Sequence, residues 1–261
     1  MFFPDGTRIA FTCQGGRAVC VMAADGGDRA RLADLEGYPD AGPAVTPDGR
    51  VAFVKRHGDL DAVYVVEVGG GSGPVLLADL GDSSSYPAFA AAGDRLAFTR
   101  MAEEGSYVHV IEGDGADSRR VGPPGAYEPA LSPDGRRIAF VRDVPAGGQG
   151  HYELAVMNID GSEEKRLTEG GDNDNHHPAF APDGRSIAFD RSHDGAPPGV
   201  FVVDADGSDE RQVVLTGTQP AFSPDGHRIA FVRDGDIWVI DVDGSDEKRL
   251  TVGADREGGT P

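Results

Sequence analysis

Basic residues are scarce in this chain. Lys and Arg number 24 against 44 Asp and Glu over 261 residues, a formal net charge of −20. Nucleic-acid binding rests on a basic face that neutralises phosphates, and no basic run is present, so nucleic acid is excluded as a partner. So acidic a surface stays soluble and draws cationic patches or metal ions. Long apolar runs are missing too. No stretch approaches the roughly 18 residues a membrane span needs, so no membrane insertion is expected. Cysteine is limited to Cys13 and Cys20, too few for a disulfide scaffold or a complete zinc site. The pair flanks the connector QGGRAV between two apolar runs. A cross-strand disulfide and two buried free thiols are both open. The opening MFFPDG lacks the order of regions that makes a signal peptide. It already holds the PDG of a repeated phrase, as though a natural leader had been trimmed.

What the chain does have is 38 Gly and 18 Pro, with apolar residues gathered into short runs, which argues against disorder. SPDGRRIAFVR (Ser132–Arg142) recurs with variations. The proline of PDG falls at Pro4, Pro47, Pro133, Pro182 and Pro224, and the degenerate copy FAAAGDRLAF puts Ala91 in that slot. The spacings are 43, 44, 42, 49 and 42, the period of four-stranded propeller blades. Each unit holds four short apolar segments bounded by turn residues, with no helical period. PDG suits a tight turn because Pro presets φ, Asp bonds locally and Gly accepts positive φ. The later DG pairs are hairpin signals for the same reason.

The expected fold is all-β: one six-bladed β-propeller over residues 1–261, four antiparallel strands per blade. The phenylalanines of IAF (Phe11, Phe53, Phe98, Phe140, Phe189, Phe231) are expected between blades. The end of the chain repeats the spacing of an earlier junction, so Pro261 aligns with a strand-opening proline and Met1-Phe2-Phe3 with the residues that continue such a strand. Both termini are therefore expected in one blade, with a closing interval of 41. SPDGRRIAF…ELAVMNIDGSEEKRLT resembles the WD40-like PD40 repeat of TolB-type six-bladed propellers across essentially the whole chain. That resemblance implies protein docking in the bacterial cell envelope. Similar propellers also serve in peptidases, lyases and sensors.

Function is expected where the repeats diverge, in the loops between second and third strands and in the unit junctions, because variable loops on a rigid scaffold carry binding. The residues before the strand-opening prolines are Gly42, Tyr86, Glu128, His177, Gln219 and Thr260, with Tyr127 and His176 among their neighbours. They should crowd the channel mouth, as in a pocket with a few converging polar groups. The plain alternative is that each caps its own strand. The junction EGGDNDNHHP offers Asp172, Asp174 and His177 as metal ligands, beside His176. Carboxylates favour Ca²⁺ or Mn²⁺ and imidazoles Zn²⁺, though no other histidine holds an equivalent ring position. Otherwise no cofactor is expected. Two residues past the Phe of IAF stand Cys13, Lys55, Arg100, Arg142, Arg191 and Arg233. The four arginines could form an anion-binding ring, or interblade salt bridges with Asp143 or Asp234 as partners. No nucleophile elbow or phosphate loop is present.

The reading is a monomeric, non-enzymatic recognition or scaffold propeller that binds a protein, peptide or small polar ligand at the channel mouth. The alternatives are a metal-dependent lyase or hydrolase using the same mouth, with His176, His177 and Glu128 around the ion, and a sensor or accessory domain of a larger protein.

Overall fold

A computed structural model describes residues 1–35, 42–57, 60–69, 73–79, 84–89, 95–112, 118–146, 149–169, 173–193 and 196–252. Five four-stranded antiparallel sheets follow one another along the chain. Blade 2 consists of Ala44–Val45, Val51–His57, Leu60–Val66 and Val75–Asp79, and blade 3 of Ser84–Phe89, Arg95–Ala102, Gly105–Glu112 and Ser118–Arg120. Blade 4 consists of Ala126–Leu131, Arg137–Ala146, Gln149–Asn158 and Lys165–Arg166. Blade 5 comprises Asn173–Phe180, Ser186–His193, Ala196–Asp204 and Arg211–Val214, and blade 6 Thr218–Phe222, Arg228–Arg233, Asp236–Asp241 and Lys248–Arg249. Among the described residues blade 1 has three strands, Arg8–Cys13, Ala18–Ala23 and Ala30–Asp34, and Phe2 bridges to Ile9 where the innermost strand runs in the other blades. The molecule is a six-bladed all-β propeller, as expected. The share of blade 1 expected from Thr260 and Pro261 lies outside the described residues, as does the turn at Ala91.

A single four-stranded sheet cannot cover both its faces, and the core shows how the wheel solves this. Each hydrophobic cluster joins one blade to the next. Ala52, Val63 and Val65 of blade 2 meet Phe98 of blade 3. Val108 and Val110 of blade 3 meet Phe140 of blade 4, and Leu154 and Val156 of blade 4 meet Phe189 of blade 5. The ring closes where Ile237 and Val239 of blade 6 meet Ile9 and Met22 of blade 1. Five of the six recurring phenylalanines are at most 2% exposed. Phe11 is the exception, half-buried at the blade 6–blade 1 seam.

The repeated phrase builds its turn from its own atoms. In blade 4, Ser132 Oγ donates to Asp134 Oδ1 at 2.6 Å, Arg136 N donates to the same oxygen at 3.0 Å, and Gly135 takes φ 67°. These donors hold the Asp134 carboxyl below its usual range. The glycine of the outer DG turn has a second constraint. At Gly161 φ is 88°, and a Cβ would sit 2.4 Å from the Val121 carbonyl oxygen of blade 3, so only glycine fits.

Candidate functional site at the channel mouth

The innermost strands carry a repeated irregularity. Pairing with the second strand breaks between Ser85 and Ala88, Tyr127 and Ala130, His176 and Ala179, and Thr218 and Ala221. Two residues are bulged out each time, and the second is a proline, which has no N–H to lose from the ladder. The first is left-handed: Tyr86 at φ 56°, Glu128 at 49°, His177 at 51° and Gln219 at 54°. A non-glycine residue in this region costs about 1–2 kcal/mol, so the surrounding structure must impose it four times over.

The consequence is a ring. Gly42, Tyr86, Glu128, His177 and Gln219 line the variable-loop end of a central channel of about 710 Å³. The prolines of the PDG turns line the opposite end, and Pro-Ala pairs such as Pro129-Ala130 and Pro178-Ala179 form the wall between. The cavity also reaches into the seam between blades 6 and 1, along Thr12 and Ile237. Tyr127 and His176, the neighbours of the bulged residues, are not on this wall. They pack behind it with Tyr152: Tyr127 meets Tyr152 edge-on at 5.6 Å, and His176 lies 5.0 Å from Tyr152 and 6.2 Å from Tyr127. Thr260 and Asp172 lie outside the described residues.

Glu128 is the hub of a buried polar cluster. It is 5% exposed. Its Oε2 accepts the His177 backbone N–H at 2.6 Å, and its Oε1 lies 3.3 Å from His176 Nδ1. His177 Nδ1 is 2.8 Å from Asp190 Oδ1, and that oxygen also accepts the Gln219 backbone N–H at 2.9 Å. Burial works to raise the Glu128 pKa, but bonding to His176 and the nearby imidazoles prevail and hold it below its ordinary range. Burial likewise opposes charge on His177, yet the Asp190 bond and the two carboxylates prevail and hold it above its ordinary value. Burial, with the Glu128 charge beside it, pushes the Tyr127 phenol up. Its hydroxyl is buried and makes no hydrogen bond among the described residues.

Asp174 accepts the Tyr152 backbone N–H at 3.3 Å. Among the described residues, no three His, Cys, Asp or Glu side chains are grouped to hold a metal ion.

Three of the four recurring arginines are paired away from the channel. Arg142 pairs with Glu164 at 2.5 Å, Arg191 with Glu210 at 2.6 Å, and Arg233 with Glu247 at 2.6 Å. Each pair lies within one blade, which corrects the expectation of interblade bridges to Asp143 or Asp234. The Glu stands three residues past the glycine of the outer DG turn, so one repeated residue answers another. Arg191 also stacks over Phe189 and Phe201. In blade 3, Ser118 stands where the Glu would be, and among the described residues Arg100 has no salt bridge. None of the four arginines lines the channel. Cys13 and Cys20 are disulfide-bonded. They are diagonal neighbours on the first hairpin, opposite Ala18 and Phe11 respectively.

Sequence reasoning missed Asp190, Tyr152 and Thr99, which come from second and third strands. The signal for Asp190 was present: the position after the Phe of IAF reads Thr, Val, Thr, Val, Asp, Val. An aspartate in a strand interior needs a partner.

Comparison with known proteins agrees with this architecture. TolB from Acinetobacter baumannii superposes with a TM-score of 0.75 at 21% identity, over 92% of this chain and 62% of that one. The chain thus spans less than two thirds of that protein. A putative TolB from Agrobacterium tumefaciens matches with a TM-score of 0.70 at 22% identity, over 86% of this chain and 84% of that one. A chain of a nidogen/laminin complex matches with a TM-score of 0.71 at 13% identity, over 95% and 94%. No curated protein matches. Residues 215–259 match the dipeptidyl peptidase IV N-terminal region. Residues 1–219 match the TolB beta propeller domain model, so the chain belongs to the TolB beta propeller (PD40) family.

Proposed function

We propose that this propeller is a recognition module that binds a protein or peptide segment, or a small polar ligand, at the channel mouth formed by Tyr86, Glu128, His177 and Gln219. The observation that carries the reading is the left-handed backbone at these four positions. Strain of this kind persists where a structure over-determines a geometry, and it clusters at binding sites. Each strained residue turns a different side chain onto the wall of one channel, while the residues that repeat identically build strands and turns. The disulfide between Cys13 and Cys20 fits an oxidising compartment, which together with the family likeness favours an extracytoplasmic setting.

The test is photo-crosslinking. A photoreactive phenylalanine replaces Tyr86 in one protein and the exposed Leu76 of the outer blade edge in another. A discrete adduct from position 86, absent from position 76, is expected. It should vanish in a Glu128→Gln, His177→Asn background, where the amide of Gln can still accept the backbone N–H and Asn tolerates positive φ. Equal labelling from both positions would remove the reading. Turnover at the mouth without a stable adduct would favour the enzyme alternative.

A further inference from the structure

Among the described residues that line the channel there is no lysine or arginine. The charged or chargeable side chains on the wall are one carboxylate, Glu128, and one imidazole, His177, with a second carboxylate, Asp190, 2.8 Å behind that imidazole. The Met1 amine at the blade 1 wall donates to Ala10 O at 2.9 Å, and burial lowers its pKa. The cations nearest in sequence pattern, Arg142, Arg191 and Arg233, are drawn onto glutamates of their own blades. An anionic ligand entering this mouth would meet the Glu128 carboxylate, with the His177 imidazole already engaged by Asp190, inside a molecule of net charge −20.

A cationic ligand meets the reverse. Each Glu128 oxygen has one partner, His176 Nδ1 or the His177 N–H. An ionised carboxylate accepts about four hydrogen bonds in all, so acceptor capacity remains at the wall. Tyr86, on the preceding blade, lines the same mouth and supplies an aromatic ring there, and ring faces attract cations. Beyond Glu128 the wall turns apolar. Pro133 at the far end lies five positions past Glu128, a depth of up to about 16 Å at ~3.3 Å per strand residue.

We infer that the mouth binds a cationic head, an alkylammonium or guanidinium group, against Glu128, with the apolar part of the ligand lying along the Pro-Ala channel. The inference rests on the channel-mouth reading and specifies its ligand class. The head is the same whether it belongs to a small amphiphilic amine or to the basic end of a peptide.

Titration calorimetry on the intact chain tests this with n-octylammonium chloride, sodium octanoate, and the peptide Ala-Val-Ala-Val amide with a free or an acetylated amino terminus. Octylammonium or the free-amine peptide is expected to bind, and octanoate and the acetylated peptide are not. Glu128→Gln should weaken the cationic probe about tenfold, the worth of one charge-assisted hydrogen bond. The tighter of the two cationic probes identifies the source. Octanoate binding as tightly as octylammonium, no binding of either cation, or an unchanged affinity in Glu128→Gln overturns the inference. If Glu128→Gln does not fold, the comparison of probes on the native chain still decides. An adduct at position 86 together with any of these adverse results would leave the recognition reading standing and remove only the charge class.

Discussion

The Glu128 carboxylate in blade 4 accepts the backbone N–H of His177 in blade 5 at 2.6 Å. At two equivalent seams the acceptor comes from the second strand: Thr99 Oγ1 takes the Glu128 N–H at 3.0 Å, and Asp190 Oδ1 takes the Gln219 N–H at 2.9 Å. Blade 4 has Val141 at that position, which has no acceptor, so the bulge residue itself reaches across. Glu128→Ala should therefore destabilise the fold by about 1–3 kcal/mol, the cost of orphaning a buried donor. Adding Val141→Thr, which places a hydroxyl where Thr99 has one, should recover about 1 kcal/mol. Urea unfolding of the single and double variants checks both, and equal midpoints would show that the seam does not need the bond.

Stability should peak in mildly acidic solution. The His177 pKa is raised on folding, so its contribution is complete below the ordinary histidine value of about 6.5 and is lost as pH rises through the raised folded value. The Glu128 pKa is lowered on folding, so its contribution is present above the ordinary carboxylate range and is lost as pH falls through the lowered value. Thermal melts from about pH 4 to about pH 9 should show a maximum between these limits. His177→Asn should flatten the alkaline side most, and the acid side in part, because the imidazole also helps hold the Glu128 pKa down.

The interblade phenylalanines should be the costliest residues to truncate. Phe189 is fully buried between blades 4 and 5, and Phe189→Ala should cost about 3–5 kcal/mol. Arg233→Met, at a partly exposed ion pair with Glu247, should cost under about 1 kcal/mol. Chemical denaturation ranks the two.

Divalent metals should leave the melting temperature unchanged. His177 Nδ1 faces Asp190 at 2.8 Å and His176 Nδ1 faces Glu128 at 3.3 Å, so a cation would have to compete with bonds already made. Melts with Ca²⁺, Mn²⁺ or Zn²⁺ test this. A saturable rise of several degrees with any of them would favour the metal-dependent enzyme.

The PDG and DG turns, the alternating strands and the six-fold count were legible because each depends on neighbours within about ten residues, and repetition multiplies a weak local signal six times. The ring of residues before the strand-opening prolines was legible for the same reason. The division of labour within it was not. Tyr127 and Glu128, or His176 and His177, are adjacent and equally polar in the sequence. Only the bulge puts the second of each pair on the channel wall and the first behind it, against Tyr152. The partners of the recurring arginines were equally hidden, since Arg191 and Glu210 lie 19 positions apart and meet only when the outer strand folds back.

The order of letters by itself determined an all-β wheel of repeated four-stranded units, because turn chemistry and period-two burial are local properties of the chain. The tertiary structure decided which side chains share the channel, that Glu128 and Asp190 are buried beside imidazoles, and that Arg142, Arg191 and Arg233 are paired away from it. Those outcomes depend on backbone strain and on contacts between separate blades, neither of which short-range pattern encodes.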